Sequence, residues 1–384
     1  MTDASVRSLD LNRAYYTDCV AKVLQAHCPE VAERHAAALI GWGSEVLGND
    51  DVHSRCYGWG PRVVLFLTEG DHARWAAKLQ EILHRKVPAV FAGQPTRFTD
   101  PSRGPPQQTT DPDGHLQIPI TTCQRFLEIY LGLPGLDVAA ARLSSREWLL
   151  LPEAGLLRLT AGEVYCDTIG DLTGLRLYFC YFPDSVWRYR LAYQWTLLSW
   201  NTDLVGLCAH RGDTLSARIA AAESVRHIVS LVFLLNKVYK PGYLKWLHRQ
   251  FYKLPYLAAE IGPLLEEVLS ADPVRAVEVF YSVLDQLVAF QSDCASVSMV
   301  DYGKPTALDR GFFAYDLQPV IDALRASITD ELRDLSWKAG ALDQWIVDQD
   351  LLMWPAHLKA LRGVYDWRDP VQAIFTRERF DHFL

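Results

Sequence analysis

The chain has 384 residues, of which 49% are hydrophobic and 22% charged, enough to bury a large core in one domain or two. Its formal net charge of −8 argues against a general nucleic-acid binder, which carries a basic footprint, but leaves a local basic patch open. The expected partner is a small-molecule ligand or substrate, with neither nucleic acid nor membrane involved.

Targeting and membrane segments are not expected. The first residues, MTDASVRSLDLNRAYY, lack the apolar region of a signal peptide. The longest apolar helical run, residues 228–235, is too short to span a bilayer. The eight cysteines are scattered and contain no C-x-x-C pair, which favours reduced thiols. These features predict a cytoplasmic protein.

The first 70 residues combine helical and strand patterns. Residues 10–40 have apolar side chains at helical spacing and predict helices. A short strand is then expected to end in the glycine turn of IGWGSEVLG. The apolar run of PRVVLFLTE, residues 61–69, predicts a strand.

The pattern continues with a helix, a loop and a further strand. Residues 71–86 predict an amphipathic helix capped by Asp71. Residues 92–114 are rich in Pro, Gly, Thr and Asp and predict a long surface loop. Residues 115–121 predict a strand, and the helix after it is expected to end at Gly132.

The periodicity is helical from about residue 140 onwards. Short connections join four long helical segments, at 183–213, 214–241, 257–271 and 272–293. Such a pattern predicts an antiparallel helical bundle. The fold class is therefore α+β, with a mixed α/β domain at 1–140 and a helical domain at 141–384.

Several long motifs resemble those of an uncharacterised family of nucleotidyltransferase-like proteins, domain of unknown function 4037. They are GSEVLG…DD…SR…WGPRVVLFL (43–67), EWLLLPEAGLLRLTAGEVYCD (147–167), YFPDSVWRYRLAYQW (181–195), residues 212–241 with Lys245-Trp246, and DQWIVDQDLL (343–352). The resemblance implies a nucleotidyltransferase-like N-terminal domain followed by a helical domain.

Nucleotidyl transfer by two Mg²⁺ ions needs backbone N–H groups beside glycine to hold the phosphates, and carboxylates two residues apart to hold the metals. Gly43-Ser44 fits the first requirement. The resemblance implies Asp-His-Asp where this chain has Cys56-Tyr57-Gly58, and a third carboxylate in the strand at 115–121, which contains none. The departure predicts a degenerate site with no metal ligands.

Glu45, Asp50 and Asp51 are acids in the loop just upstream of the degenerate positions. Asp50 and Asp51 could form a shifted metal site, or Asn49-Asp50-Asp51 could form a polar turn and helix cap. Cys56 could be a nucleophile and Tyr57 a proton donor or stacking surface, or both could fill the space of the lost metals.

His53, Arg55 and Arg62 supply the positive charge that activates a thiol. In the helical domain, Arg218 and Arg226 suit a phosphate or carboxylate, or form ion pairs with residues such as Glu223.

Tyr243 and Lys245 belong to a basic-aromatic cluster that could bind a planar ligand or close a bundle end. Asp343, Asp348 and Asp350 are expected to be solvated or paired.

The leading hypothesis is a repurposed enzyme that performs metal-independent small-molecule chemistry in an interdomain cleft. Its candidate catalytic residues are Cys56, Tyr57 and Ser44. Its candidate ligand-binding residues are Gly43, Ser44, Asp50, Asp51, Arg62, Arg218, Arg226, Tyr243 and Lys245. One alternative is a non-catalytic ligand-binding pseudoenzyme. The other is an active nucleotidyltransferase acting on a small molecule, and it alone requires ATP and Mg²⁺.

Overall fold

A computed structural model describes residues 7–51, 53–55, 58–133, 142–294, 306–307, 313–335, 340–348, 351–352, 360–361 and 363. The chain forms two compact units. The first comprises the described residues of Met1–Arg142 together with Ala154–Cys180, and the second comprises Leu143–Glu153 and the described residues of Tyr181–Leu352. The predicted boundary at 140/141 differs from this division, because residues 154–180 follow the boundary but belong to the first unit. The assignment of 1–140 and 141–384 as domains stays a prediction.

Helices dominate the second unit and are interspersed with strands in the first. In chain order they are α1 (Ser8–Tyr15), α2 (Ala21–His27), α3 (Pro29–Ala32), α4 (Glu69–Lys86), α5 (Cys123–Leu131), α6 (Ser145–Leu149), α7 (Glu153–Thr160), α8 (Asp171–Tyr178), α9 (Asp184–His210), α10 (Thr214–Leu235), α11 (Leu244–Phe251), α12 (Ala258–Ser270), α13 (Pro273–Cys294), α14 (Gln318–Ala326) and α15 (Leu342–Trp345). A π-helical segment, Tyr16–Val20, joins α1 to α2.

The strands are short. They are β1 (Ala36–Leu39), β2 (Val64–Phe66), β3 (Val90–Phe91), β4 (Gln94–Pro95), β5 (Arg97–Phe98), β6 (Gln108–Thr109), β7 (His115–Leu116), β8 (Ile120–Thr121), β9 (Glu163–Asp167), β10 (Thr306–Ala307) and β11 (Phe313–Ala314). Short 3-10 helices cover Ser44–Leu47, Pro101–Arg103 and Glu331–Asp334. The predicted loop at 92–114 thus contains paired strand segments, because β5 pairs with both β6 and β7.

A four-stranded mixed sheet forms the centre of the first unit, in the order β8-β2-β1-β9. β1 is antiparallel to β2 and to β9, whereas β2 and β8 are parallel. Helical residues and strand residues share one apolar core, which includes Tyr15, Val20, Leu24, Ala37, Leu65, Leu79 and Leu83. The mixed sheet with helices confirms the predicted α+β class for this half of the chain.

The short strand predicted before the glycine turn is present as β1, but the helical prediction for residues 10–40 is wrong over Ala36–Leu39. These four residues are all buried between two antiparallel neighbours. Alanine favours helices, so burial and pairing override local propensity here. The strand Glu163–Asp167 was missed, within a region assigned as helical. It follows Gly162, at which an added Cβ would meet the carbonyl oxygen of Leu39 at 1.9 Å, so β9 approaches β1 closely.

Helix ends agree with the sequence except at one cap and one C-terminus. The side chain of Thr68, rather than Asp71, caps α4 by accepting a hydrogen bond from the Asp71 N–H. Gly132 ends α5 in a left-handed conformation, as predicted, and of the two adjacent serines 144 and 145 it is Ser144 that caps α6. α10 ends at Leu235, six residues before Pro241, which was predicted to end it.

The second unit is helical, as predicted, and its core contains large aromatic side chains. α9 and α10 pack along each other, and α13 and α14 also pack against α9. Fully buried residues include Trp148, Trp187, Trp195, Phe233 and Phe280. Among the described helices, none combines the length and apolarity needed to cross a membrane.

Candidate functional site

The turn after β1 carries the residues that resemble a phosphate-binding element. Gly43 has φ of 115°, and the 3-10 helix Ser44–Leu47 starts directly after it. Ser44 is buried, and its carbonyl oxygen accepts a hydrogen bond from the Asn49 N–H at 3.0 Å, which closes the loop. The loop geometry therefore places Gly43 and Ser44 together, although their ligand-binding role stays a prediction.

A buried ion pair occupies the space next to this turn. The Arg62 guanidinium lies 2.7 Å from a carboxylate oxygen of Glu45, and the two side chains are only 5% and 3% exposed. The same guanidinium donates to the carbonyl oxygen of Trp42 and lies over its indole ring, 4.8 Å from the centroid. The Arg62 N–H donates to Asn12 Oδ1 at 2.6 Å. Arg62 is thus already neutralised and held by protein groups.

The Trp42 ring lies directly against Gly58. Gly58 has φ of 68°, and a Cβ added to it would meet Cη2 of the Trp42 ring at 2.1 Å. Real side chains do not approach this closely, so an aspartate at position 58 requires the indole to move. The glycine at position 58 and the placement of the Trp42 ring therefore depend on each other.

The predicted strand at 115–121 lies beside this site and contributes no carboxylate. Arg62 bridges in parallel to Gln117, and the Leu65 N–H donates to the Pro119 carbonyl at 2.9 Å. The segment consists of β7, a short irregular link and β8 rather than one continuous strand. The place where a third acid is expected is thus occupied by amide and apolar side chains.

Asp50 and Asp51 hold local structure. A carboxylate oxygen of Asp50 accepts a hydrogen bond from the Ser8 N–H at the start of α1. Asp51 Oδ1 accepts from the Ser54 N–H at 3.0 Å and from the Ser54 hydroxyl at 2.9 Å. These contacts match the turn-and-cap interpretation of the two aspartates. Across the described residues, no group of three or more His, Cys, Asp or Glu is arranged to hold a metal ion.

Cys56 and Tyr57 lie outside the described residues, so their predicted catalytic roles stay predictions. Their neighbour Arg55 lies over the Trp59 ring at 4.4 Å and donates to the Asp50 carbonyl at 3.2 Å. His53 is exposed. A positively charged residue is thus present next to Cys56 in sequence, as a reactive thiol requires.

The four candidates of the second unit are distributed over a helix and the segment after it. Arg226 pairs with Glu223 on α10, as the ion-pair alternative expected, and Arg218 is exposed on the same helix. Lys245 is exposed and lies 4.5 Å from the Trp246 ring centroid, and Tyr243 is 43% exposed. Their ligand-binding roles stay predictions.

The second unit contains a buried charge cluster that sequence reasoning did not identify. Arg190 is fully buried on α9 and makes ion pairs with Glu153 at 2.6 Å and with Asp343 at 2.9 Å. The Lys240 N–H donates to the second Glu153 carboxylate oxygen at 2.7 Å, and the Glu153 N–H donates to Asp343 at 2.8 Å. The cluster ties α9 to α15 and to the start of α7. An arginine between aromatic residues in WRYRLAYQW was the available signal.

Burial dominates the electrostatics of this charge cluster. It raises the pKa of Glu153, against the opposing effect of Arg190. It acts to lower the pKa of Arg190, but the carboxylates of Asp343 and Glu153 raise that pKa above its usual value. Burial also lowers the pKa of Lys240, whose ammonium donates to the Ser230 hydroxyl at 2.7 Å. Since each charge has a partner, the cluster is a structural clamp in this geometry.

Comparison with known proteins supports the family resemblance for the middle of the chain. Residues 148–247 match the family described as Domain of unknown function (DUF4037), which confirms the resemblance over that range. Three residues of the buried charge cluster, Glu153, Arg190 and Lys240, lie within it. The motifs at 43–67 and 343–352 lie outside the matched residues.

Among solved structures, a nucleotidyltransferase-like protein from Exiguobacterium sibiricum 255-15 is similar to this chain. The two are 12% identical, the match covers 82% of this chain and 90% of that chain, and the TM-score is 0.33. A likeness at this score does not itself define the fold. The fold class rests on the mixed sheet and the helical unit described above. No curated protein matches the chain.

Proposed function

We propose that the first unit is a divergent nucleotidyltransferase-like unit whose metal position is filled by its own side chains, and that it performs metal-independent chemistry on a small molecule. The observation that carries the proposal is the 2.1 Å approach between Trp42 and a Cβ at Gly58. An acid cannot return to position 58 by a single substitution without displacing the indole.

The charge balance near Ser44 supports the same proposal. Two Mg²⁺ ions neutralise a polyphosphate in two-metal transfer, and carboxylates hold them. The described residues here offer one buried carboxylate, Glu45, and it is consumed by Arg62 at 2.7 Å. Because Arg62 is buried and already paired with Glu45, its charge neither neutralises a bound polyphosphate nor replaces the two Mg²⁺ ions.

Three groups are proposed to act on the substrate. Ser44 supplies a hydroxyl beside the glycine turn, Cys56 supplies a nucleophilic thiol, and Tyr57 supplies a proton donor. Arg55 and His53 lie near Cys56 in sequence and favour its thiolate form. This assignment separates an enzyme from a ligand-binding pseudoenzyme, since only the former needs an activated thiol.

Titration calorimetry with ATP and Mg²⁺ tests the loss of metal chemistry. The wild-type protein is expected to give no magnesium-dependent heat of ATP binding. Tight magnesium-dependent binding that disappears in Asp50→Ala and Asp51→Ala would show instead that these aspartates form a working metal site.

Thiol labelling tests the enzymatic part. Cys180 is exposed and serves as an internal reference in the same chain. With iodoacetamide at pH 7, followed by peptide mass analysis, Cys56 is expected to react at least tenfold faster than Cys180. Labelling of Cys56 at or below the rate of Cys180 would remove it as a nucleophile and favour the pseudoenzyme. Cys56→Ser identifies the labelled peptide.

A further inference from the structure

A long segment of this acidic protein contains no acidic residue. Between Glu223 and Glu260 there is no Asp or Glu, while six Lys and Arg residues occur there. They are Arg226, Lys237, Lys240, Lys245, Arg249 and Lys253. Arg226 pairs with Glu223 and Lys240 belongs to the buried charge cluster, whereas Lys237, Lys245, Arg249 and Lys253 are exposed. The exposed side chains of this segment therefore carry positive charge in a chain whose net charge is −8. A local concentration of this kind attracts polyanions even when the protein as a whole does not.

The helix α11 lies in the middle of this segment, and its outer face carries several charged or aromatic side chains. On α11, Lys245, His248 and Arg249 are exposed, and with the exposed Tyr252 directly after the helix they have the i, i+3, i+4, i+7 spacing of one helix face. Leu244, the first residue of the helix, is also exposed. The apolar side chains Trp246 and Phe251 are 7% and 4% exposed and belong to the core. The outer face therefore presents cations and an aromatic ring.

Exposed tyrosines precede and follow α11 in the chain. Tyr243, Tyr252 and Tyr256 are 43%, 40% and 57% exposed. The Lys245 ammonium lies 6.0 Å from the Tyr243 ring centroid, and the rings of His248 and Tyr252 are tilted by 59°, with centroids 4.8 Å apart. Exposed tyrosines next to lysine and arginine form the combination that binds single-stranded nucleic acids, in which bases stack on rings and phosphates contact cations.

Two carboxylates of α12 lie close to this face in space or in sequence. On α12, Glu266 accepts the Tyr252 hydroxyl at 3.1 Å, and Glu260 is exposed nearby in sequence. Burial, and then the charge of Arg249, lower the pKa of Lys253, which places two cations beside each other. The acids thus lie towards the α12 side, and the cations of α11 remain grouped.

We propose that the outer face of α11, with Tyr243, Tyr252 and Tyr256, binds a single-stranded nucleic acid. An anionic membrane fits less well, because a membrane-binding helix turns a row of apolar residues outwards. On α11 the exposed apolar residue is Leu244, whereas Trp246 and Phe251 are buried. The proposal does not depend on the chemistry proposed for the first unit. It adds a partner that net charge alone argued against.

Fluorescence anisotropy with a labelled 20-nucleotide poly-U probe tests the proposal at several salt concentrations. The full-length wild-type chain is expected to bind, with an affinity that falls as salt rises. Lys245→Glu with Arg249→Glu is expected to weaken binding at least tenfold at low salt. Loss of two phosphate contacts should also reduce the slope of log K against log salt by about 1.4. Tyr243→Ala with Tyr256→Ala is expected to weaken binding at least fivefold without changing that slope.

The matched control is Lys78→Glu with Lys86→Glu, which makes the same charge change at exposed positions of α4. It is expected to change affinity less than threefold. Failure of the wild type to bind the probe, or equal losses in the α4 and α11 variants, would overturn the proposal. Sedimentation with phosphatidylserine vesicles is the second measurement, and vesicle binding without probe binding would assign the face to a membrane and overturn it as well. Circular dichroism checks that each variant is folded.

Discussion

The Glu45 carboxylate lies 2.7 Å from the Arg62 guanidinium, and both side chains are almost completely buried. Breaking such a pair leaves one charge without compensation in a low-dielectric site. We therefore expect Glu45→Gln to lower the free energy of unfolding by about 3 kcal/mol. Urea denaturation followed by fluorescence measures the change.

The exposed pair Arg85–Glu81 on α4 provides the control for this prediction. Glu81→Gln should cost no more than about 0.5 kcal/mol, because exposed i,i+4 pairs contribute little. A double-mutant cycle of Glu45→Gln with Arg62→Met isolates the coupling between the two residues. Equal costs of Glu45→Gln and Glu81→Gln would mean that the buried pair is not a stabilising contact.

Trp42 and Gly58 give a second prediction, which separates steric collision from backbone strain. Gly58→Ala should cost about 1 kcal/mol for its positive φ and a further 1 to 3 kcal/mol for the collision with the indole. Gly48 has nearly the same φ, 67°, with no atom within 4 Å of an added Cβ. Gly48→Ala should therefore show the backbone cost alone.

Relief of that collision can be measured directly in denaturation experiments. Adding Trp42→Ala to Gly58→Ala is expected to cost less than the sum of the two single variants. Additive costs, or equal costs for Gly48→Ala and Gly58→Ala, would show that the indole does not block position 58.

Asp50 gives a third prediction, which distinguishes a cap from a metal ligand. Its carboxylate accepts the Ser8 N–H at the start of α1, so Asp50→Ala should lower stability by about 1 kcal/mol. This hydrogen bond does not require Mg²⁺, so the loss of stability in Asp50→Ala should be the same in 5 mM Mg²⁺ as in EDTA. Stabilisation of the wild type by Mg²⁺ that is absent from Asp50→Ala would contradict this role.

Sequence patterns predicted those elements whose signals are local. The end of α5 at Gly132 and the Ser144 cap of α6 follow from short-range chemistry. Glu163–Asp167 was missed as a strand because it pairs with Ala36–Leu39, and the paired residues Ala38 and Val164 are 126 residues apart, a distance that no local window spans. Local sequence patterns therefore could not predict the complete set of strands in the sheet.

The candidate site also has features that local sequence predicts and features that it does not. The glycine turn at Gly43 and the lack of acids at positions 56–58 can be read directly from the sequence. The position of Trp42 against Gly58 was not, because sixteen residues and a change of chain direction separate them. Arg190 and Asp343 are likewise far apart in sequence and form their ion pair only after α9 and α15 pack. Long-range packing determines these contacts.

Arg190 gives a fourth prediction. Arg190→Met leaves the carboxylates of Glu153 and Asp343 buried without their cation, so the free energy of unfolding should fall by at least about 3 kcal/mol. Arg218→Met, the same substitution at an exposed position of α10, should change it by no more than about 0.5 kcal/mol. Similar losses in the two variants, measured by urea denaturation, would remove the special role of the buried cluster.

His227 gives a pH-dependent prediction. Burial lowers its pKa to about 4, with Arg226 and Lys240 adding to the effect and Glu223 opposing it. Its Nδ1 faces the Gln194 side-chain amide at 3.0 Å, and that amide also donates to the His227 carbonyl, so Nδ1 acts as an acceptor. A proton on Nδ1 would end this hydrogen bond.

The unfolded chain binds the His227 proton below its ordinary pKa of about 6.5, whereas the folded chain does so only near 4. Stability from neutral His227 is therefore present above pH 6.5 and is lost as the pH falls from 6.5 towards 4. Urea denaturation of the wild type and of His227→Gln at pH 7.5, 6.5, 5.5 and 4.5 measures it. The wild type should lose stability relative to the variant by up to about 1.4 kcal/mol per pH unit in that window.

The exposed His115 provides the matched control, because His115→Gln should follow the wild-type curve throughout. Carboxylates that titrate in the same range affect all three proteins alike, so only the difference between curves reports on His227. Parallel curves for the wild type and His227→Gln would show that the imidazole is protonated as easily in the folded chain as in the unfolded one. The acceptor role of Nδ1 towards Gln194 would then be wrong.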